Sequence, residues 1–255
     1  MRPRPEKREG FINAIFLAEE AVPSFDAFPF NLPAVRALKD VKLHPAVTFL
    51  IGENGSGKST VIEAVAIRLN FEELGGESMQ GFRNRFDHRV PDGGLHEALR
   101  IMTSSFRHPG DRFFMRAETV FDLANKLDAL EKEYNTGYGR YGGRSLHSRS
   151  HGEAFLALVQ NRMRSESLII MDEPEAALSP TRQLTLIKEI DWLVRSGCQF
   201  LIATHSPILM AYPDCWIYEL GEHGIRRTEY RETEHYELTR NFLNQPEAYL
   251  RHLVE

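Results

Sequence analysis

The residues best equipped for chemistry are Gly52-Glu53-Asn54-Gly55-Ser56-Gly57-Lys58-Ser59, which fit GxxxxGK[ST]. Glycines let a backbone close around a phosphate with its N–H groups turned inward, and a helix that follows turns its positive end to the anion. In this pattern Lys58 reaches the β- and γ-phosphates of a nucleotide and the Ser59 hydroxyl ligates Mg²⁺. Gly52, Asn54, Gly55, Ser56, Gly57 and Thr60 complete the expected cradle for ATP. The plainer alternative is a glycine-rich turn with a solvent-facing lysine. Placement weighs against it, because the segment falls between a buried apolar run and a helical pattern. A second constellation is Leu168-Ile169-Ile170-Met171-Asp172-Glu173, four apolar residues ending in two carboxylates. Magnesium needs a carboxylate, usually through water, beside the hydroxyl of the phosphate loop, and Asp172 suits that role. Glu173 is placed to orient and deprotonate an attacking water. Paired acids at a strand end also serve as plain helix caps, but the phosphate loop in the same chain favours the catalytic reading.

Glu173 is followed by Pro174-Glu175-Ala176-Ala177-Leu178-Ser179, and Ala203-Thr204-His205-Ser206-Pro207 comes further on. With these runs, residues from about 11 to 220 resemble the ATPase heads of the ABC superfamily, and more narrowly the single-domain ATPases that share a fold with SMC-type heads. The resemblance implies an ATP-hydrolysing enzyme with Lys58, Glu173 and His205 as its catalytic residues. It implies that His205 is the switch histidine at the γ-phosphate, and that residues 177–180 form a D-loop at a homodimer interface. The alternative for His205 is a histidine capping a helix that starts at Ser206-Pro207. The family also places a signature motif against the partner's ATP. The best match is Arg149-Ser150-His151-Gly152-Glu153, with Ser150 and Gly152 as the expected ligands. It departs from LSGGQ, with Arg149 for Leu, His151 for the first Gly and Glu153 for Gln. A serine hydroxyl and helix N-terminal amides suit a γ-phosphate. The same residues make an ordinary capping box, and the two readings are compatible. The family's Q-loop glutamine has no clear counterpart. Gln80 comes early, only 22 residues after Lys58. Either Glu118 fills that role or Arg116 contacts phosphate, against a reading of both as surface charges.

The elements that must hold these residues follow from the apolar pattern. Residues 46–51, 167–171 and 199–203 are short, nearly all-apolar runs, as expected of strands covered on both faces. Residues 11–17 read as an early strand. Helical spacing marks 60–69, with Ile62, Val65, Ala66 and Leu69 on one face. It also marks 122–134, the segment with Phe155, Leu158, Val159 and Met163, and the segment with Leu184, Ile187, Ile190 and Val194. The alternation predicts an α/β P-loop NTPase fold: a mostly parallel sheet flanked by helices, with a small antiparallel and helical lobe. Residues 216–220 and 225–229 flank a turn and predict a hairpin. Residues 235–253 predict one or two helices interrupted at Pro246. The expected organisation is one ATPase domain over 1–255, with a small signature lobe at about 71–152. Residues 137–143 read as a mobile glycine-rich loop. The arginines Arg83, Arg85, Arg89, Arg140, Arg144 and Arg149 suit nucleic acid, a lid over nucleotide, or plain solvated loops.

Across 255 residues, 42% hydrophobic and 26% charged content describe a chain that can bury a full core, and the formal net charge of −5 argues against coating nucleic acid by bulk electrostatics. Two cysteines without metal-ligand spacing point to a reducing, cytoplasmic setting. No run approaches the ~18–20 apolar residues of a membrane span, so direct membrane insertion is not expected. About 90 residues separate Lys58 from Ser150, too few for an SMC-type arm. The expected function is an ATP-gated dimerisation switch acting on a partner protein or DNA. The alternatives are the nucleotide-binding subunit of a transporter and a P-loop kinase. The residue that stacks on adenine is not legible.

Overall fold

The computed structural model describes residues 8–73, 93–134 and 137–254. Gln80, Arg83, Arg85 and Arg89 lie outside them. In chain order the strands are β1 (Ile12–Leu17), β2 (Val41–Lys42), β3 (Val47–Ile51), β4 (Glu72–Glu73), β5 (Leu99–Thr103), β6 (Asp111–Arg116), β7 (Ser167–Asp172), β8 (Gln199–Ala203), β9 (Trp216–Gly221) and β10 (Gly224–Thr228). The helices are α1 (Pro33–Arg36), α2 (Lys58–Arg68), α3 (Leu95–Ala98), α4 (Thr119–Tyr134), α5 (His151–Arg162), α6 (Pro180–Arg195), α7 (Pro207–Met210), α8 (Glu234–Asn244) and α9 (Pro246–Leu253).

The three apolar runs become β3, β7 and β8, each buried at every position. They lie at the heart of a sheet ordered β10-β9-β3-β8-β7-β6-β4, parallel throughout except for the β9–β10 hairpin. Period-two alternation sends Phe49, Ile169 and Phe200 to one face, against α4, α5 and α6. It sends Leu50, Ile170 and Leu201 to the other, against α2 and a small antiparallel sheet ordered β2-β1-β5. The fold is therefore the expected α/β P-loop NTPase architecture, with its small antiparallel sheet.

Three local expectations are revised, and one strand is added. Helix α2 is not one-faced: Thr60 through Ala66 are all buried, because the helix is enclosed between the two sheets. The core stripe of α6 is Gln183, Leu186, Ile190 and Leu193, while Leu184 is 60% exposed. Residues 137–143 are held as an ordered turn. The Tyr138 and Ser145 hydroxyls both donate to Asp128 of α4, and Arg149 donates to the carbonyls of Tyr141 and Gly142. That arginine is committed to the turn. Strand β5 was unread, and it pairs with β1 along five register positions, from Ile12↔Thr103 to Leu17↔Leu99.

Gln199 joins the two sheets. Its side chain is 1% exposed and sits at the start of β8. Its carbonyl accepts from the Phe11 and Ile12 amides at 2.7 and 3.0 Å, and its amide donates to the Ile12 and His44 carbonyls at 2.8 and 2.9 Å.

Candidate nucleotide site

Because β3, β8, β7 and β6 run parallel, their C-terminal ends open on one edge of the sheet, where ligands of open α/β sheets bind. The register aligns Leu50 with Ala203, Ala203 with Asp172, and Asp172 with Arg116. Four sequence-distant segments, beginning at Gly52, Thr204, Glu173 and Ala117, therefore leave the sheet side by side.

The loop after β3 turns at Gly52, whose φ is +138° and where an added Cβ would stand 2.1 Å from the Leu220 carbonyl oxygen. Only glycine lets the loop lie against β9 in this way. Lys58 opens α2, is 4% exposed, and its ammonium donates to the Gly52 and Glu53 carbonyls at 2.8 and 2.9 Å. Burial lowers its pKa, and the nearby carboxylates of Glu173, Asp172 and Glu175 oppose that shift. Thr60 is buried and Asn54 and Gly55 are exposed at the loop's tip. Ser56 Oγ is buried without a hydrogen-bond partner among the described residues.

Ser59 Oγ donates to Asp172 Oδ1 at 3.1 Å, which sets two hard oxygen donors together where Mg²⁺ was expected. Arg116, weighed as a phosphate contact, donates instead to Asp172 Oδ2, at 3.1 Å from Nε and 2.9 Å from Nη2. The same guanidinium pairs with Glu63, a carboxylate only 2% exposed and one turn along α2 from Ser59. Burial raises the Asp172 pKa, with Arg116 pulling against it. Ser59, Glu63, Arg116, Glu118, Asp172 and Glu173 line one cleft of about 260 Å³, so Glu118 does reach the site's rim.

Glu173 adopts the left-handed region, φ 47° and ψ 52°, unusual for a side chain of this kind. Its amide donates to the Ala203 carbonyl at 3.0 Å and Pro174 fixes the next residue, so the kink is imposed by β8 and by the following turn. Glu175 anchors the neighbouring strand end. It accepts from Thr204 Oγ1 at 2.7 Å and from the His205 amide at 2.5 Å. Ser206, not His205, caps α7, accepting from the Ile208 and Leu209 amides. That leaves the His205 ring free to face the site. His205 Nε2 lies 3.5 Å from Glu173 Oε1 and makes no hydrogen bond among the described residues.

Two residues at the site escaped the sequence reading. His235, in the first turn of α8, places Nε2 3.3 Å from His205 Nδ1. Arg182, on α6, donates to Ser150 Oγ at 2.9 Å and to Glu153 Oε1 at 3.1 Å. Neither belongs to a local motif, and only the fold brings them in. Ser150 heads α5 in a capping box, its amide donating to Glu153 Oε2 at 2.9 Å. Gly152 is buried, and a Cβ there would meet the Arg182 side chain at 2.8 Å and the Ala177 carbonyl at 2.9 Å. It serves close packing of the turn at the head of α5 against Ala177 and Arg182. Ser150 and the Lys58 loop are not linked by any hydrogen bond among the described residues.

Comparison with known proteins bears on the same segments. A family described as "AAA domain, putative AbiEii toxin, Type IV TA system" matches residues 145–211, the span that holds Ser150, Asp172, Glu173 and His205. The lipoprotein-releasing system ATP-binding protein LolD of Chromohalobacter salexigens is 27% identical over 73% of this chain and 82% of its own length. The chain resembles P-loop ATPases of the ABC superfamily. The thiamine import ATP-binding protein ThiQ of Cereibacter sphaeroides is another ABC relative, 29% identical over 62% of this chain and 70% of its own. Three other matched relatives are longer, and the chain spans 36%, 24% and 12% of their lengths. Among solved structures, cbiO1 of Clostridium perfringens, part of the ABC transporter complex cbiONQ, aligns with 93% of this chain and 97% of its own at 18% identity and a TM-score of 0.47. No helix among the described residues is long and apolar enough to cross a membrane.

Proposed function

We propose that this chain hydrolyses ATP and uses the nucleotide to gate its own dimerisation. The observation that carries this reading is the meeting of Lys58, Ser59, Asp172, Glu173 and His205 at one sheet edge, from three separate strand ends. The buried, unpartnered Ser56 Oγ and His205 Nε2 support a polar ligand in that space. Ser59 and Asp172 would hold Mg²⁺, which supplies charge neutralisation at the β- and γ-phosphates when bound. Lys58 leaves its carbonyl contacts for the phosphates. Glu173 accepts a proton from water as the water oxygen attacks the γ-phosphorus, and the bond to the β,γ-bridging oxygen breaks to give ADP and phosphate. His205 donates to a γ-phosphate oxygen.

Dimerisation enters through Ser150. It is exposed at the head of α5 and makes no hydrogen bond to the Lys58 loop among the described residues, and in this reading a second copy's loop lies against it. Arg182, bonded to the Ser150 hydroxyl, would bring a second charge to the same phosphate. The output would fall on a partner protein or DNA, in a reducing, cytoplasmic setting. Free Cys198 suits that setting, since burial pushes its thiol up to about 11 and leaves it inert. Phosphate release from purified protein, set against Lys58→Ala and Glu173→Gln, tests the enzyme: wild-type turnover with both variants silent is the expected result. Equal phosphate release from all three removes the reading.

A second reading, the nucleotide-binding subunit of a transporter, draws support from the printed names of the LolD and ThiQ relatives. The altered signature at Arg149–Glu153 weighs against it. Co-purification with a membrane protein would favour it.

A further inference from the structure

Beside the proposed γ-phosphate site lies a second histidine that no motif accounts for. His235 sits on α8, after the last strand of the main sheet, and its ring centroid is 5.5 Å from that of His205. Its Nε2 is 3.3 Å from His205 Nδ1, while its own Nδ1 is buried without a hydrogen-bond partner among the described residues. Lys58 lies close enough to both rings to depress their pKa values, after the larger effect of burial. Glu173 near His205, and Glu234, Glu219 and Glu53 near His235, act in the opposite sense. Two neutral imidazoles can share one proton along this contact in two ways. If His205 Nδ1–H donates, His205 Nε2 is left a bare lone pair. That lone pair would face the Glu173 carboxylate at 3.5 Å and would repel a phosphate oxygen. If His235 Nε2–H donates, His205 Nε2 carries the proton and points it toward Glu173 and the nucleotide space. Only the second arrangement is electrostatically consistent with its surroundings.

We propose that His235 is a positioning residue for His205: it donates from Nε2 to His205 Nδ1, and so holds His205 in the tautomer that presents Nε2–H to the γ-phosphate. The nitrogen a histidine protonates is set by the hydrogen bond its other nitrogen makes. This deepens the ATPase reading and rests on it for the role of His205, but the tautomer is a property of the protein without turnover. It also ties the switch histidine to α8, so the orientation of His205 depends on that helix staying in place.

The test uses the full chain with ¹⁵N-labelled histidine and long-range ¹H–¹⁵N correlation of the ring nitrogens, assigned with the His205→Ala and His235→Leu variants. The expected spectrum shows His205 protonated at Nε2 in the wild type, and a tautomer mixture in His235→Leu. His205 protonated at Nδ1 in the wild type, or a spectrum unchanged in His235→Leu, overturns the proposal. Turnover gives a second arm. His235→Leu should lower kcat by about tenfold or more while fluorescent-ATP affinity stays within about twofold, as is typical of lost ring-orienting partners. His235→Gln, whose terminal amide can still donate, should recover most of that loss. In a His205→Ala background, His235→Leu should cost nothing further. Equal impairment of His235→Leu and His235→Gln, with additive loss in the His205→Ala background, would show a merely structural role and also overturn it. A wild type without phosphate release but with the expected spectrum fails the ATPase reading alone. An inactive His205→Ala beside a fully active His235→Leu fails this proposal alone.

Discussion

Glu173 is held at φ 47° by the Ala203 carbonyl and by Pro174, a conformation that costs about 1 kcal/mol or more and is kept where it serves a site. The kink turns its carboxylate away from the strand and toward His205, where a water activator is needed. The Glu173→Gln protein is therefore expected to bind ATP as the wild type does and to lose at least about 100-fold in kcat, read by fluorescent-nucleotide titration and phosphate release. Lys58→Ala should fail already at binding. The two site histidines make a separate prediction about pH. Their pKa values are depressed by burial and by Lys58, so the unfolded chain takes up protons first as pH falls below the ordinary histidine value of 6.5. Stability present above 6.5 is then lost as pH drops from there through the depressed folded values. Buried Asp172 and Glu175, with raised pKa values, act in the opposite sense. Thermal melting of wild type and His235→Leu between pH 7.5 and pH 5, ranges chosen to span the histidine value, separates the two effects. The wild-type Tm should fall further over that range than the variant's, and parallel curves would contradict this.

At the scale of elements, Gln199 carries the most testable load. It bonds the amides of Phe11 and Ile12 and the carbonyls of Ile12 and His44, tying the segments that lead into β1 and β3 to β8. Replacing it by Leu removes these four bonds, and each buried group left unsatisfied costs about 1–3 kcal/mol. Gln199→Leu should lower unfolding free energy in urea by about 3 kcal/mol or more, while a surface variant such as Leu184→Gln should change it little. The elements most legible in the sequence were the strands covered on both faces of the main sheet. β3, β7 and β8 read clearly because burial on both faces leaves no polar position to confuse the period. β5 did not, because only its first residue is buried, exposure rises along its five positions, and its pairing is with the distant β1. The face of α6 was misjudged because Leu184 is apolar yet exposed, while the polar Gln183 is buried and hydrogen-bonded to the Leu178 carbonyl. The site shows the same division. Lys58, Ser59, Asp172 and Glu173 lie in contiguous motifs and were readable. His235 and Arg182 act across 30 and 32 residues of separation, and the bond from Arg116 to Asp172 spans 56.

The whole molecule sets the parallel strand ends as a single edge, with the phosphate loop, the Asp172–Glu173 pair and His205 on it, while Ser150 heads α5 and is bonded to Arg182 of α6. In the proposed mechanism a second copy contributes its α5 to this site. Reversing the charge environment of that surface by Ser150→Glu should therefore abolish ATP-dependent association without unfolding the chain, checked by Tm and by mass. The most direct measurement of the central claim is the mass of the Glu173→Gln protein by light scattering, in Mg-ATP and in Mg-ADP. A doubling of mass in Mg-ATP alone is the expected result. The same mass in both nucleotides, with ATP shown to be bound, would contradict it.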